Sequence, residues 1–312
     1  MGPVFCPKIT GPVQGLQSKM KESQKLGGIL LVAVSAAAFG VMPVFAKTAY
    51  AAGTSVFSLL FLRFLVGAVF MFLLMYLRKL KLPSRREIGI FLLLGAVLYV
   101  GQSFTYFTAL NYASAGVVAL LVYTYPALVM VGSAVLFRER ITLHKVIALC
   151  LALAGAFIII GAEFQASPTG ILLSVLCAVF YSTYILASSR AVKVGMGIQS
   201  SAFIMLGAAI VFGVINLVLG FSPPTQFNGI AAVVMLALIS TVLAMWSFFT
   251  GMAKTGPSTA ALVSTLEPVV TVFSSVLLLS EKLTVHVIAG GCLVLAALII
   301  TALPSKEKRG ER

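Results

Sequence analysis

Glu267 and Pro268 stand side by side in the middle of an apolar run that extends from about Ser258 to Ser280. A carboxyl group among apolar neighbours can take up a proton or bind an amine, and Glu267 is one of only eight acidic residues. Pro268 has no backbone N–H, so the carbonyl of Ser264, which a helix would pair with it, is left as a free acceptor. The dipeptide therefore predicts a polar, ionisable site within an apolar segment. The alternative is a structural glutamate that holds a kink at Pro268 by hydrogen bonds to neighbouring helices.

Arg63 is a second ionisable residue inside an apolar run. At a rise of ~1.5 Å per helical residue, Glu267 is predicted ~14 Å from one edge of its segment and Arg63 ~12 Å from the opposite edge of its own. The two side chains would then lie at similar depth and could pair. Alternatively, Arg63 could extend its long side chain toward the lipid headgroups.

Seven further polar residues lie near the middle of three apolar runs, namely Tyr99, Gln102, Tyr106, Tyr123, Tyr125, Tyr181 and Tyr184. The first three are spaced i, i+3 and i+7, which places them on one face of a helix. Aromatic rings with polar tips suit a site for an amphipathic molecule with an apolar body. Each ring could equally be a packing residue whose hydroxyl bonds to a neighbouring helix.

The composition indicates a protein that crosses a membrane several times. Hydrophobic residues make up 60% of the chain, charged residues 10%, and the mean hydropathy is +1.10. The chain has no Asp, no Gly-Lys dipeptide and no His-Glu-x-x-His, which excludes Walker-type nucleotide sites and the common zinc-protease site. The cysteines Cys6, Cys150, Cys177 and Cys292 show no CxxC spacing, so no metal or other cofactor is predicted.

Ten apolar segments of about 20 residues each are long enough to cross a hydrocarbon core of ~30 Å as helices. Their predicted limits are 27–46, 55–77, 88–110, 115–137, 144–162, 169–190, 200–220, 228–252, 258–280 and 285–303. Residues 1–26 are predicted to form a flexible tail and residues 304–312 a basic tail. With both tails cytoplasmic, nearly all of the 22 Lys and Arg residues fall on that side, apart from Lys47, Lys282 and the intramembrane Arg63. The excess of positive charge is therefore read as a signal of orientation and not of nucleic-acid binding.

The sequence repeats itself at a constant offset of 142 positions. At this offset five identical pairs align without a gap: Gly28 and Gly170, Pro126 and Pro268, Glu139 and Glu281, His144 and His286, Cys150 and Cys292. The repeats are predicted to be 27–162 and 169–303. Because each holds an odd number of spans, the copies are predicted to insert with opposite topology. This architecture is typical of secondary transporters, with the substrate near the midplane.

Three features together resemble the EamA-type transporters of the drug/metabolite transporter superfamily. They are the five-plus-five repeat, the motifs Leu266-Glu267-Pro268 and Tyr125-Pro126, and Arg63 in the second span. The two segments that follow these motifs also match, Arg138-Glu139-Arg140-Ile141-Thr142 and Leu279-Ser280-Glu281-Lys282-Leu283-Thr284. The resemblance implies export of amino acids or other small metabolites and drugs, although some relatives carry nucleotide sugars or triose phosphates. The first repeat departs from the pattern because Tyr125 stands where a glutamate would match Glu267.

The sequence thus predicts an all-α integral membrane protein of ten spans that exports small amphipathic metabolites by alternating access, with Pro126 and Pro268 as hinges and possible coupling to protons. Its expected partners are a small-molecule substrate and membrane lipid, and its expected location is the inner (plasma) membrane. An uptake or exchange carrier for organic phosphates, nucleosides or drugs is the first alternative, and an intramembrane enzyme or a receptor the second. Glu139 and Glu281 are interpreted as helix-end residues that pair with neighbouring cations or cap the next helix, with gating as the alternative. The oligomeric state is not predicted.

Overall fold

A computed structural model describes residues 12–109, 112–113, 118, 121–160, 167–279 and 285–302. Glu281, Lys282, Thr284, Cys6 and the basic tail 304–312 lie outside the described residues. Every element in the described part is helical. The first repeat contains α1 (Pro12–Gly40), α2 (Met42–Ala51), α3 (Val56–Leu77), α4 (Arg85–Leu93), the π-helical turn π1 (Leu94–Tyr99), α5 (Val100–Ala109), α6 (Tyr125–Phe137) and α7 (Leu143–Ile160). The second contains α8 (Pro168–Ala191), α9 (Gly197–Leu219), α10 (Phe227–Ala237), the π-helical turn π2 (Leu238–Leu243), α11 (Ala244–Thr255), α12 (Pro257–Ser264), α13 (Glu267–Leu279) and α14 (Val285–Ala302).

Six helical segments are long and apolar enough to cross a membrane: Gln24–Ala51, Val56–Leu77, Arg85–Tyr106, Pro168–Ala191, Gly197–Leu219 and Phe227–Thr255. Shorter apolar helices cover Tyr125–Phe137, Leu143–Ile158 and Ile288–Thr301. The prediction of an all-helical membrane protein is confirmed, and that of ten spans only in part. The predicted span 258–280 is in fact two short helices, α12 and α13.

The helix α1 begins at Pro12, within the range 1–26 that the sequence predicted as a flexible tail. From Leu16 to Leu26 the chain has neither Gly nor Pro, and Leu, Gln, Lys, Met and Glu dominate this stretch. These residues have high helix propensity, so the helix extends ahead of the apolar segment.

The repeat is visible in the helix bounds. The helices α6 and α13 each have 13 residues, α7 and α14 each have 18, and both pairs start at the 142-residue offset found in the sequence. Pro126 and Pro268 both lie in the first turn of their helices, where a missing N–H costs no hydrogen bond. Each proline therefore begins a helix and does not lie within one.

The two repeats do not pack as separate units, because each contributes its first span to the other. The helix α1 packs along α11, α12 and α13, all of which belong to the second repeat. Likewise α8, the first span of the second repeat, packs along α5 and α6. We call these groups the α1 bundle (α1, α11, α12, α13) and the α8 bundle (α8, α5, α6).

Glycines allow the close approach within each bundle. A Cβ added at Gly251 would lie 2.6 Å from the Gly28 carbonyl oxygen, so α11 touches the backbone of α1. In the α8 bundle, a Cβ at Gly101 would lie 2.9 Å from the Phe180 ring. The hydrophobic effect does not drive helices together within a lipid bilayer. Small residues let the helices approach closely and associate through van der Waals contacts.

One end of the molecule is rich in cations, and we call it the basic face. It carries the ends of α3, α6, α8 and α11 and the links that follow them, which contain Arg78, Arg138, Arg190, Lys193 and Lys254. At the other end, Asn216 joins α9 to α3: its Oδ1 accepts from Ser58 Oγ at 2.6 Å, and its Nδ2 donates to the Phe57 carbonyl at 3.0 Å. The functional candidates lie between these two ends.

Candidate functional site

The break between α12 and α13 places Glu267 at the first position of a helix. The amides of Thr265 and Leu266 donate to the carbonyls of Leu262 and Val263 at 3.2 and 3.1 Å, which closes α12 in a tight turn. Glu267 is half-buried, and α12, which precedes it, is buried along its whole length. The sequence predicted a free backbone acceptor beside the carboxyl within one continuous span. In the structure the span is instead interrupted between α12 and α13.

The first span is interrupted beside the same place. The helix α1 ends at Gly40, and a Cβ added there would lie 2.9 Å from the Glu267 carbonyl oxygen and 2.7 Å from Val270 Cβ. Ser274 Oγ also donates to the Gly40 carbonyl at 3.4 Å. Two broken spans therefore meet at Glu267, and only glycine fits at the point of contact.

Replacing Gly40 by Val should destabilise this junction. The added side chain has to displace α1 from α13, and overpacking of this kind costs roughly 1–3 kcal/mol. We expect a thermal midpoint in detergent several degrees below that of the unmodified protein. Gly27→Ala is the matched control on the same helix, because a Cβ at Gly27 meets nothing within 4 Å. Equal midpoints for Gly40→Val and Gly27→Ala would contradict the close contact.

Arg63 is buried at 5% exposure and does not extend to the headgroups, so the alternative of a headgroup-directed side chain is wrong. Its Nε donates to Thr241 Oγ1 at 2.7 Å, and its Nη2 donates to the Ser240 carbonyl at 3.2 Å. The guanidinium therefore lies against π2, the π-helical turn in the eighth predicted span. None of the ion pairs found among the described residues includes Arg63.

The π-helical turn π2 carries Thr241 and Ser240, which accept the hydrogen bonds of Arg63. Thr241 Oγ1 donates to the carbonyl of Leu236, five residues earlier, at 3.0 Å, so its lone pairs point toward Arg63. A π-helical turn is wider than an α-helical turn and leaves backbone carbonyls with fewer intrahelical hydrogen bonds. Such turns are frequent at functional sites. Neither residue was a candidate from the sequence. A signal did exist, because Thr241 is the repeat equivalent of Tyr99.

Five of the six candidate tyrosines form a continuous row of rings. Neighbouring ring centroids are 5.0 Å apart for Tyr99 and Tyr184, 6.3 Å for Tyr184 and Tyr181, 4.6 Å for Tyr181 and Tyr125, and 6.4 Å for Tyr125 and Tyr123. Edge-to-face and offset contacts at these distances stabilise aromatic clusters. The row runs through the α8 bundle and ends at α6, next to the α1 bundle.

Glu267 and Arg63 both lie near this row of rings. Glu267 lies within electrostatic range of five tyrosines, which are Tyr99, Tyr106, Tyr123, Tyr125 and Tyr181. Arg63 interacts with Glu267, with Tyr99 and with Tyr50, which the sequence did not single out. The structure thus brings together the acid, the base and the aromatic residues that were candidates by type and depth.

Several polar atoms in this region lack a protein partner among the described residues. The hydroxyls of Tyr50, Tyr125, Tyr184 and Ser240 are buried without a hydrogen bond. Buried polar groups are normally paired, so unpaired ones indicate a place where water or a ligand binds. By contrast Glu267, Gln102, Tyr106, Tyr123 and Tyr181 keep partial exposure in the interior.

Gln102 and Tyr106 lie at the contact between α5 and α8. Cys177 Sγ donates to the Gln102 carbonyl at 3.4 Å, and Ser103 Oγ donates to Gln102 Oε1 at 3.3 Å. Tyr106 packs on the small cluster around Cys177 and Val118. Both side chains therefore adjoin the aromatic row from the α5 side.

Interrupted helices, ionisable side chains in the interior and a twofold internal repeat are typical of polytopic membrane carriers. The sequence profile of the EamA-like transporter family matches the chain twice, at residues 26–161 and 168–303. The chain belongs to this family, and hence to the drug/metabolite transporter superfamily that it resembled.

Similar proteins cover most of the chain. It is 25% identical over 282 residues to "Uncharacterized transporter YcbK" of Bacillus subtilis, spanning 86% of this chain and 89% of that protein. It is 27% identical over 303 residues to "Uncharacterized transporter YvbV" of the same organism, spanning 93% and 96%. "Uncharacterized inner membrane transporter YedA" of Escherichia coli is 24% identical over 77% of this chain and 79% of its own length. A solved structure titled "Crystal structure of protein" superposes with a TM-score of 0.78 at 22% identity, covering 90% of this chain and 98% of that one, which supports the fold alone.

Proposed function

We propose that this protein is a secondary transporter of the inner membrane that exports small amphipathic metabolites, most readily amino acids, by alternating access. The observation that carries the proposal is that the buried Arg63 and the half-buried Glu267 both lie near the row of tyrosines, in which the hydroxyls of Tyr125 and Tyr184 are unpaired. An amino acid offers an ammonium group to a carboxylate, a carboxylate to a guanidinium, and an apolar body to aromatic rings. In this reading Glu267 receives either the substrate amine or a coupling proton.

The moving bodies of the proposed cycle are the α1 bundle and the α8 bundle. They meet where Tyr125 of α6 lies beside Ser264 of α12. Both chain breaks of the α1 bundle, after Gly40 and after Ser264, are at this level. The first turns that contain Pro126 and Pro268 are the hinges, since a helix that starts there can tilt without breaking its own hydrogen bonds.

The proposed orientation places the basic face and both termini in the cytoplasm. Cations flank cytoplasmic helix ends more often than external ones. The equal helix lengths in the two repeats support the inverted five-plus-five topology of 27–162 and 169–303. An odd number of spans in each repeat turns the second copy over.

The transport proposal predicts counterflow in proteoliposomes. Liposomes loaded with one unlabelled amino acid at a time should accumulate the same labelled amino acid from outside above its equilibrium level. A carrier exchanges bound substrate even without an ion gradient, so this readout tests substrate binding and carrier behaviour together. Protein-free liposomes are the control, and folded protein is verified by a cooperative thermal transition. A panel in which no amino acid accumulates would contradict the proposed substrate class.

A further inference from the structure

A cleft of about 580 Å³ opens on the basic face between the two bundles. The α8 bundle contributes the end of α6 at Phe137 and the end of α8 at Arg190, and the α1 bundle contributes Met252 and Pro257 from α11 and α12. Clefts of this size hold small molecules. The site described above does not include any of these residues.

One side-chain hydrogen bond closes the floor of this cleft. Ser258 Oγ donates to Glu139 Oε2 at 2.7 Å, and Glu139 also pairs with Lys145 at the start of α7. Glu139 follows α6 of the α8 bundle, whereas Ser258 lies in the first turn of α12 in the α1 bundle and is only 1% exposed. The bond therefore joins the two bodies that are proposed to separate.

Other polar contacts of the described residues at the basic face stay on one side of the cleft. Arg190 Nη2 donates to the Leu136 carbonyl at 2.9 Å, which ties α8 to α6 within the α8 bundle. Lys193 donates to Glu87 Oε1 at 2.8 Å and ties the α8–α9 link to α4, the beginning of the span that ends as α5. Neither contact has to break when the bundles part.

The backbone on both sides is shaped for the Glu139–Ser258 contact. Arg138 closes α6 with a left-handed φ of +54°, which turns the chain so that Glu139 points back across the helix end. Gly256, with φ +83°, precedes α12, and a Cβ there would lie 4.0 Å from Glu139 Oε1. A residue other than glycine would be strained at Gly256 because of this positive φ, so glycine fixes the turn that leads into Ser258.

We propose that this cleft is the cytoplasmic mouth of the transport path and that the Glu139–Ser258 hydrogen bond is the latch that keeps it closed. The inference rests on the proposed alternating-access function and adds the place and the residues of one gate. Breaking the bond lets the start of α12 leave the end of α6, and the buried face of α12 then lines a passage toward Glu267. Lys145 is joined to Glu139 by the short link between α6 and α7, so the carboxylate keeps this partner when the mouth opens.

The latch can be tested by the reactivity of a thiol placed beneath it. Ser264→Cys puts this thiol at the end of α12, at a position only 5% exposed, between the latch and Glu267. Cys6, Cys150 and Cys292 are first replaced by Ala and Cys177 by Ser. Labelling by a membrane-impermeant thiol reagent is timed in right-side-out and in inside-out membrane vesicles. Leu82→Cys, exposed in the link after α3, reports in a separate sample which vesicle type presents the basic face.

Adding Ser258→Ala should raise the labelling rate at position 264 at least fivefold from the basic face and should not raise it from the other face. Glu139→Gln should raise the rate in the same direction, since an amide accepts a weaker hydrogen bond and loses the ion pair. Thr259→Ala is the matched control: Thr259 is the next residue on α12, equally buried, and is not bonded to Glu139. Its labelling rate should equal that of the parent.

If both Ser258→Ala and Glu139→Gln leave the labelling rate from the basic face unchanged, the Glu139–Ser258 bond is not a latch. If the rate rises only from the opposite face, the cleft is not the cytoplasmic mouth of the transport path. Labelling needs no substrate, so its result is separate from that of counterflow. Faster labelling in a protein that shows no amino-acid counterflow would support the gate and reject only the proposed cargo. Counterflow with unchanged labelling would keep the carrier and reject this gate.

Discussion

Replacing Glu267 by Gln should abolish proton-driven transport while the protein remains folded. Gln keeps the size and hydrogen-bonding capacity of the side chain but cannot bind or release a proton. Proteoliposomes with an imposed pH gradient should then accumulate substrate no further than vesicles without a gradient. We expect the gradient-dependent part of the flux to fall at least tenfold, which corresponds to ~1.4 kcal/mol or more in transition free energy.

The design separates a coupling role from a binding role and from a structural one. If Glu267 binds only the substrate amine, Glu267→Gln weakens counterflow and gradient-driven flux by the same factor. If it only stabilises the junction with Gly40, the thermal midpoint falls and both fluxes scale with the folded fraction. Glu87→Gln serves as a control, because Glu87 is a carboxylate at the basic face, paired with Lys193 and distant from the aromatic row. Unchanged pH dependence in Glu267→Gln would refute proton coupling through this residue.

Hydropathy and the internal offset predicted the helical elements and the repeat because both depend on local sequence. Apolar length determines which segments can span a lipid core. The helices α6 and α13, like α7 and α14, reproduce the offset in their bounds because equivalent sequences begin and end helices at equivalent prolines and polar links. Depth counting predicted Glu267 and Arg63 at comparable levels, and in the structure the two lie within electrostatic range of each other.

Tertiary contacts determine what the sequence did not predict. The break after Ser264 and the end of α1 at Gly40 depend on two spans meeting, and neither span alone shows it. The exchange of α1 and α8 between the repeats depends on contacts among distant helices. The depth of Arg63 allowed two directions for its side chain, and only the hydroxyl of Thr241 on another span selects the inward one.

The asymmetry of the repeat explains why the centre has one acid and one base. At the 142-residue offset, Glu267 corresponds to Tyr125 and Arg63 to Met205. Each ionisable residue is therefore matched by an uncharged side chain in the other copy. A symmetric pair of carboxylates would repel, whereas this arrangement sets opposite charges within reach of a substrate that carries both.

Arg63→Met should abolish transport and leave stability nearly unchanged. Met is the residue of the equivalent position 205 and fits an apolar helix contact. Arg63 belongs to none of the ion pairs found among the described residues, so the replacement removes a buried charge with a costly desolvation and breaks no salt bridge. Thr241 Oγ1 and the Ser240 carbonyl each lose the hydrogen bond that they accept from Arg63. Thr241 Oγ1 still donates to the Leu236 carbonyl. Counterflow should fall at least tenfold, because the carboxylate of the substrate loses its guanidinium partner.

Thr241→Val is the matched variant that reports a purely structural role. It keeps Arg63 but removes the acceptor of its Nε–H, and a buried donor without a partner costs about 1–3 kcal/mol. Thr241→Val should therefore lower the thermal midpoint more than Arg63→Met does, while its folded fraction still exchanges substrate. If Arg63→Met instead loses much stability and keeps normal counterflow per folded molecule, the role of Arg63 is structural, namely to link α3 to π2. In that case the carboxylate-binding group of the carrier would have to be sought among the unpaired hydroxyls of Tyr50, Tyr125 and Tyr184.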